Sequence, residues 1–288
     1  MEISGKTKLC ALIGDPVEHS LSPAMHNAAF KHLGLNYVYL AFKVERERLK
    51  EAIAGVKALK IHGLNVTKPL KIDVIPLLDE LHESASKVGA VNTILNRDGK
   101  LVGYNTDSLG GLKALENAEV DLNGIKVVIF GAGGAARAAA FSIAPKVGEV
   151  VLLNRTVEKA ERLAHDLEEK LGCKARFGGL REEVKRRELR DADLVINATS
   201  VGMRPNENLS LVNPDLLGPD LAVFELVYNP VETKLLKDAR KAGSKVIDGL
   251  SLLLHQGVES FSIWTGVKPP IEVMRKALES ALEDASDG

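Results

Sequence analysis

The sequence predicts an α/β protein of two domains, the first built on a mixed sheet and the second on a parallel one. Three observations carry that expectation. Val127 to Phe130 form an apolar run long enough for a strand buried on both faces, and a glycine turn then opens an Ala-rich helical stretch. Beyond it, short apolar runs alternate with helical patterns as far as Ile247, the rhythm of a parallel sheet covered by helices. Ahead of it, residues 90–104 read as a hairpin around Arg97-Asp98-Gly99-Lys100, so the first sheet contains an antiparallel pair.

In chain order, residues 8–13 read as a strand closed by Gly14-Asp15-Pro16. Ser22 before Pro23 predicts a helix start, a hydroxyl N-cap followed by proline at the first helical position. Residues 37–44 alternate like a strand, and Leu49, Ala52, Ile53 and Val56 fall at helical spacing. A strand at 61–66 leads into Thr67-Lys68-Pro69-Leu70-Lys71, and a helical segment is expected over 73–88. A helix over 106–117 follows the hairpin, and the turn Asp121-Leu122-Asn123-Gly124 is the expected crossing toward the second half.

After that turn, strands are expected at 149–153, 193–196, 221–224 and 245–247, with helices at 157–171 and 232–242. The charged run 181–190 reads as a solvated helix face. Residues 250–264 and 271–282 are the last helices, and 284–288 a polar, frayed tail.

The chain has 288 residues, 45% hydrophobic and 27% charged, with a net charge of −1. That is an ordinary globular composition, and its near-neutrality argues against a nucleic-acid or membrane-surface role. Cys10 and Cys173 each border an apolar run and are expected to be buried free thiols; no metal-ligand spacing is present. The first seven residues lack a signal peptide's features, and Arg137 with the glycine turn breaks the longest apolar stretch, so a cytoplasmic location is expected.

Gly131, Gly133 and Ala136 fit G-x-G-x-x-G/A. The first allows a tight turn, the second lets backbone approach a pyrophosphate, and Ala136 lets helix and strand pack closely. Taken alone, these residues also fit a tight turn with no ligand. The next strand ends in Asn154-Arg155-Thr156, where a site for NAD carries an acid. Arg155, with Lys159 a turn further on, suits a 2′-phosphate that a carboxylate would repel. The expected cofactor is therefore NADP(H).

Three loops of the first half gather small polar groups. Ser20 and Ser22 suit a carboxylate, although Ser22 is equally a helix cap. Asn65, Thr67 and Lys71 lie at odd spacing along one extended segment, where spacing alone leaves Lys71 a surface lysine. Asn92-Thr93 and Tyr104-Asn105-Thr106-Asp107 form the third group, with helix capping as the alternative role of Asn105 to Asp107.

Nine motifs in order then carry a resemblance: His19-Ser20-Leu21-Ser22-Pro23, Asn65-Val66-Thr67-x-Pro69-x-Lys71, Gly89-Ala90-Val91-Asn92-Thr93, Asn105-Thr106-Asp107, Gly131-Ala132-Gly133-Gly134-Ala135, Asn154-Arg155-Thr156, Asn197-Ala198-Thr199-Ser200-Val201-Gly202-Met203, Val227-Tyr228-Asn229-Pro230 and His255-Gln256-Gly257. Over nearly its whole length the chain resembles the shikimate/quinate dehydrogenase family.

The resemblance implies reversible NADPH-dependent reduction of 3-dehydroshikimate to shikimate, in aromatic biosynthesis. It implies that Ser20 and Ser22 bind the substrate carboxylate, and that Asn65, Thr67, Asn92, Asp107 and Gln256 hold its hydroxyls with Tyr228 nearby. Lys71 would be the general acid–base beside Asp107. Gly131, Ala132, Gly133, Gly134, Ala135, Asn154, Arg155, Thr156 and Lys159 would hold the cofactor, with Leu226 and Gly249 toward its nicotinamide end. Residues 1–107, completed by 250–288, would form the substrate domain, and 108–249 a Rossmann-type NADP domain, in a monomer or homodimer.

The chain departs from the usual pattern at Lys68, Leu70, Ser108, Glu225, Ser251 and Leu252 without removing an implied catalytic group. The rival expectations are a quinate/shikimate dehydrogenase of broader specificity and a non-catalytic NADP(H)-sensing protein.

Overall fold

The structure is a computed structural model that describes residues 3–286. The chain divides into two compact units, one of residues up to Gly110 with those from Leu254 onward, the other Gly111–Leu253. The first unit holds β1 (Lys8–Gly14), α1 (Ser22–His32), β2 (Tyr37–Lys43), α2 (Leu49–Ala58), β3 (Gly63–Val66), β4 (Glu80–Leu81), α3 (Glu83–Val88), β5 (Thr93–Arg97), β6 (Lys100–Tyr104) and the start of α4 (Asp107–Asn117). The second holds β7 (Lys126–Phe130), α5 (Gly134–Ile143), β8 (Glu149–Leu153), α6 (Val157–Leu171), β9 (Ala175–Gly178), α7 (Glu182–Leu189), β10 (Leu194–Asn197), β11 (Ala222–Glu225), α8 (Lys234–Lys241) and β12 (Val246–Ile247). Helix α9 (Gly249–Thr265) carries the chain back to the first unit, which α10 (Ile271–Ser286) completes. The passages fall inside α4 and α9, not at the Asp121–Gly124 turn.

In the first unit the strand order is β2-β1-β3-β5-β6-β4. Strand β1 runs parallel to β2 and β3, while β5 is antiparallel to both β3 and β6, so the sheet is mixed as its hairpin requires. Its core packs Leu49, Ile53 and Val56 of α2 with Leu64, Val66 and Ile94 from the sheet. The second sheet is parallel throughout, in the order β12-β11-β10-β7-β8-β9. Its order reverses between β7 and β10, the switch point where such sheets take ligands at the carboxyl ends of their strands. Helix α6 shows why a local pattern suffices there. Ala160, Leu163, Ala164 and Leu167 are buried on one face, and Gly172 stops the helix in the left-handed conformation at φ 63°.

Several expectations need correction. Residues 73–88 are not one helix but a 3₁₀ turn (Ile75–Leu77), β4 and α3. Pro76 lacks the N–H that a helix interior needs, and Asp79 instead exchanges bonds with Leu101, N–H to carbonyl at 3.1 Å and carboxylate to N–H at 2.7 Å. Ser22 is not a cap: Leu21 takes that position and makes no side-chain cap bond. The run 181–190 does form a helix, but Glu188 is buried in it, paired with Arg176 at 2.8 Å and Lys126 at 3.5 Å. Cys10 is buried, but Cys173 is only half-buried; both are free thiols. Strand β9 had no apolar signature because it is a four-residue edge strand carrying Arg176. Helix α10 continues into the expected polar tail as far as Ser286, and residues 287–288 lie outside the described residues. Among the described residues no helix is long and apolar enough to cross a membrane.

The C-terminal helices close the first unit. Helix α10 packs on α1, and Trp264 of α9 fills the space that a Cβ at Gly63 would need while its indole N–H donates to Ile94 O at 3.0 Å. Beside it lies His26 of α1, fully buried and stacked on Tyr39 at 4.6 Å between ring centroids, with Trp264 at 5.2 Å. Among the described residues neither ring nitrogen of His26 has a hydrogen-bond partner. Burial pushes the imidazole down from its ordinary 6.5 to about 3. Because the unfolded chain protonates His26 first, stability is fully present above pH 6.5 and is lost as pH falls toward 3. We predict that His26→Phe flattens the pH dependence of Tm between pH 6.5 and 4; parallel wild-type and variant profiles would refute this.

Candidate active site

In the first unit two of the three expected loops converge. The N–H of Val91 donates to Lys71 O at 2.8 Å, tying the segment after β3 to the one before β5. On that framework Lys71 Nζ reaches Asp107 Oδ2 at 2.6 Å, with side chains 16% and 10% exposed. These groups are sheltered yet still open to a small molecule, unlike a solvated surface pair.

Asn92 completes the arrangement. Its Nδ2 donates to Asp107 Oδ1 and Thr106 Oγ1, both at 2.9 Å, with Gln256 Oε1 at 3.3 Å. Thr106 N–H donates to Asn92 Oδ1 at 2.7 Å, which fixes which way the amide faces. Asp107 is therefore held by an amide on one oxygen and an ammonium on the other. Asn105, not Asp107, serves the start of α4: its Oδ1 accepts from the N–H and hydroxyl of Ser108, both at 3.1 Å. The departure at Ser108 thus strengthens the helix start and leaves Asp107 free for the site.

Asn65 is buried with its amide fully engaged. Tyr39 OH donates to its Oδ1 at 2.7 Å, and its Nδ2 faces Asn92 O, Thr93 Oγ1 and Ser260 Oγ at 3.0–3.1 Å. It supports the Asn92 segment from behind. Thr67 is half-buried in the turn after β3, its N–H on Ile13 O at 2.9 Å. Ser22 opens α1 and its N–H donates to Ser20 Oγ at 3.3 Å, so the two serines form one turn.

The second unit brings the residues expected to hold a cofactor to one end of its sheet. Gly131 follows β7 at φ 113°, which favours glycine, and an added Cβ would stand 2.9 Å from Ala198 O. Gly133 is the N-cap of α5 and makes no side-chain bond, leaving the first-turn N–H groups of that helix to an anion. Ala132, Gly134 and Ala135 complete the turn and are half-buried. After β8, Asn154 Nδ2 donates to Thr156 O at 2.8 Å, while Arg155 and Lys159 are exposed and, among the described residues, form no ion pair. Gly249 is buried, and a Cβ there would lie 2.6 Å from Val227 O and 2.8 Å from Leu226 O. Tyr228 is half-buried in the loop after β11.

Sequence reasoning missed four residues. Glu225, fully buried, accepts from Asn197 Nδ2 at 2.9 and 3.0 Å, Val227 N–H at 2.9 Å and Thr233 Oγ1 at 3.1 Å. It ties together the ends of β10 and β11 and the start of α8, and burial pushes its carboxyl up to about 7 against those bonds. Tyr39 and Ser260 look like ordinary core positions in the sequence. Gly110 allows close helix contact, since a Cβ there would lie 2.7 Å from Gln256 N. Only Ser260 had a signal: it stands one helical turn from Gln256.

A parallel switch-point sheet with a glycine cradle, together with a sheltered lysine–carboxylate pair on an α/β unit, defines a nicotinamide-dependent dehydrogenase. Residues 12–94 match the shikimate dehydrogenase substrate binding domain, 113–204 the shikimate / quinate 5-dehydrogenase family, and 249–279 the shikimate 5′-dehydrogenase C-terminal domain. Shikimate dehydrogenase (NADP(+)) of Methanopyrus kandleri is 53% identical, covering 96% of this chain and 97% of its own. A solved shikimate dehydrogenase in complex with NADP+ is 50% identical with a TM-score of 0.91, covering 98% of each chain. The Thermus thermophilus enzyme, solved with NADP(H) and shikimate, is 38% identical with a TM-score of 0.84, covering 96% of this chain and all of its own. The chain belongs to the shikimate dehydrogenase (NADP+) family.

Gly131→Ala is expected to cost about 1–3 kcal/mol through its left-handed φ and to weaken NADP+ binding. Thermal melts with and without NADP+ test this, and an undiminished ligand-induced rise in Tm would count against the cradle.

Proposed function

We propose that this chain catalyses the reversible NADPH-dependent reduction of 3-dehydroshikimate to shikimate, within the pathway to chorismate and the aromatic amino acids. The observation that carries the reading is the 2.6 Å contact of Lys71 Nζ with Asp107 Oδ2, buttressed by Asn92. The unit containing Lys71 is the substrate domain and Gly111–Leu253 the cofactor domain. The protein acts in the cytoplasm as a monomer or homodimer.

Reduction of a ketone places negative charge on its oxygen. The Lys71 ammonium, oriented by Asp107, delivers the proton to that oxygen and recovers it in the oxidative direction. Positioned acid–base groups are worth roughly a hundred- to ten-thousand-fold in rate. Asp107 aims Lys71 and accepts from a substrate hydroxyl. Thr67, Asn92 and Gln256 hold the remaining ring hydroxyls. The Ser20/Ser22 turn takes the carboxylate, a role left open to the Ser22 hydroxyl because Leu21 holds the cap position of α1.

The open Gly133 turn and uncapped α5 fit a pyrophosphate, and Arg155 with Lys159 fits a 2′-phosphate. When bound, NADPH supplies the hydride. Leu226 and Gly249 shape the nicotinamide end, where Glu225 steadies the Leu226–Val227 backbone.

Initial rates with shikimate and quinate, each with NADP+ and NAD+, test the assignment. Shikimate with NADP+ is expected to dominate; comparable quinate turnover would sink the narrow specificity, and no turnover would favour a cofactor sensor. Lys71→Ala is expected to lower kcat about a hundredfold or more with shikimate affinity nearly intact. An unchanged kcat refutes the acid–base role. For Arg155→Asp the NADP+ KM rises while that for NAD+ falls or holds, and an unaltered ratio would remove Arg155 from the phosphate site.

A further inference from the structure

Behind the Asn92 amide lies a ring of hydroxyls sealed from solvent. Ser260 and Thr93 are fully buried and Thr106 is 2% exposed. Ser260 Oγ lies 2.8 Å from Thr93 Oγ1 and 3.1 Å from Thr106 Oγ1, and those two oxygens are 3.2 Å apart. Asn65 Nδ2 approaches Ser260 Oγ at 3.1 Å.

The protons in this ring can be counted. Asn92 Nδ2 donates to Thr106 Oγ1, so Thr106 must place its own proton on Thr93 or Ser260. Ser260 donates backward along α9 to Gln256 O at 2.9 Å, which leaves its lone pairs free to receive. Thr93 Oγ1 has two acceptors within reach, Ser260 Oγ at 2.8 Å and Asn92 Oδ1 at 3.3 Å, and with the Ser260 proton spent on Gln256 O the shorter contact takes the Thr93 proton. The bonds therefore run one way, from the Asn92 amide through the threonines to Ser260, and end on the Gln256 carbonyl. We propose that Ser260 is a positioning residue for the reaction: with its own proton spent on the Gln256 carbonyl, it is the acceptor that gives this ring its direction and so holds Asn92 against Asp107.

This rests on the reading of Lys71 and Asp107 as the reacting pair. Without the Ser260 oxygen, the Thr93 hydroxyl is left with Asn92 Oδ1, 3.3 Å away, the same oxygen that the Thr106 N–H uses to fix the amide. That second donor draws the Asn92 amide off its line to Asp107. Asp107 loosens with it, and Lys71 is no longer aimed. Gln256, one helical turn from Ser260, shares the same anchor, so the C-terminal helix reaches the chemistry through a hydroxyl as well as through packing.

The test is steady-state oxidation of shikimate with NADP+ by Ser260→Ala, with Tm measured on the same samples. We expect kcat to fall about tenfold with the NADP+ KM unchanged, since the lesion lies on the substrate side. Thr106→Val, at the other end of the ring, is expected to lose rate similarly, and Thr106→Ser to recover most of it because the hydroxyl returns. The pair also keeps the proposal testable should Ser260→Ala fail to fold. A folded Ser260→Ala enzyme with wild-type kcat and shikimate KM, changed only in Tm, would overturn the proposal. So would equal rates for Thr106→Val and Thr106→Ser. A wild-type chain that turns over no shikimate would sink the assigned function first, and the positioning role with it.

Discussion

The contact between Lys71 and Asp107 is the constraint around which the first unit is arranged. An ammonium and a carboxylate 2.6 Å apart and mostly shielded from water need every other lone pair and proton around them satisfied, or the desolvation is not recovered. The surroundings meet that demand. Asn92 takes the second carboxylate oxygen, the Thr106 N–H fixes the Asn92 amide, and Val91 pins the Lys71 backbone. Three chain segments distant in sequence are held in register so that one proton donor keeps one direction.

The second unit solves a different problem with backbone. Its ligand-facing end is made of strand termini and turns, which are the least constrained parts of a parallel sheet. Glycine at 131 and 249 lets neighbouring carbonyls come close, and Glu225 gathers the ends of β10 and β11 through neutral donors. Among the described residues no cation is hydrogen-bonded to that carboxyl, so nothing offsets the rise that burial imposes on its pKa beyond those neutral donors.

Much of this was legible in the residues because it is local. The βα rhythm, the glycine turn and the hairpin follow from short-range periodicity and turn chemistry, and both sheets formed as read. The failures were also local in origin. Pro76 stands inside the stretch read as a helix at 73–88, and β9 was too short and too polar to show alternation. Ser22 looked like a cap, yet the helix begins one residue earlier than the Ser-Pro pair suggests. Residues 181–190 carry their charges on all sides, and only packing against Arg176 and Lys126 decided that Glu188 would be inside.

The sequence by itself determined the class of fold, the place of the cofactor turn and the polar loops from which a site could be built. It could do so because a strand, a tight turn and a helix start are each specified within a few residues. Tertiary structure alone decided which polar residues meet. Lys71 and Asp107 are 36 positions apart, Asn92 and Gln256 are 164, and Asn65 and Ser260 are 195. No local pattern encodes such distances. They are set by tertiary packing, which shelters an apparent surface lysine against Asp107 and brings a serine of the C-terminal helix beside Asn65.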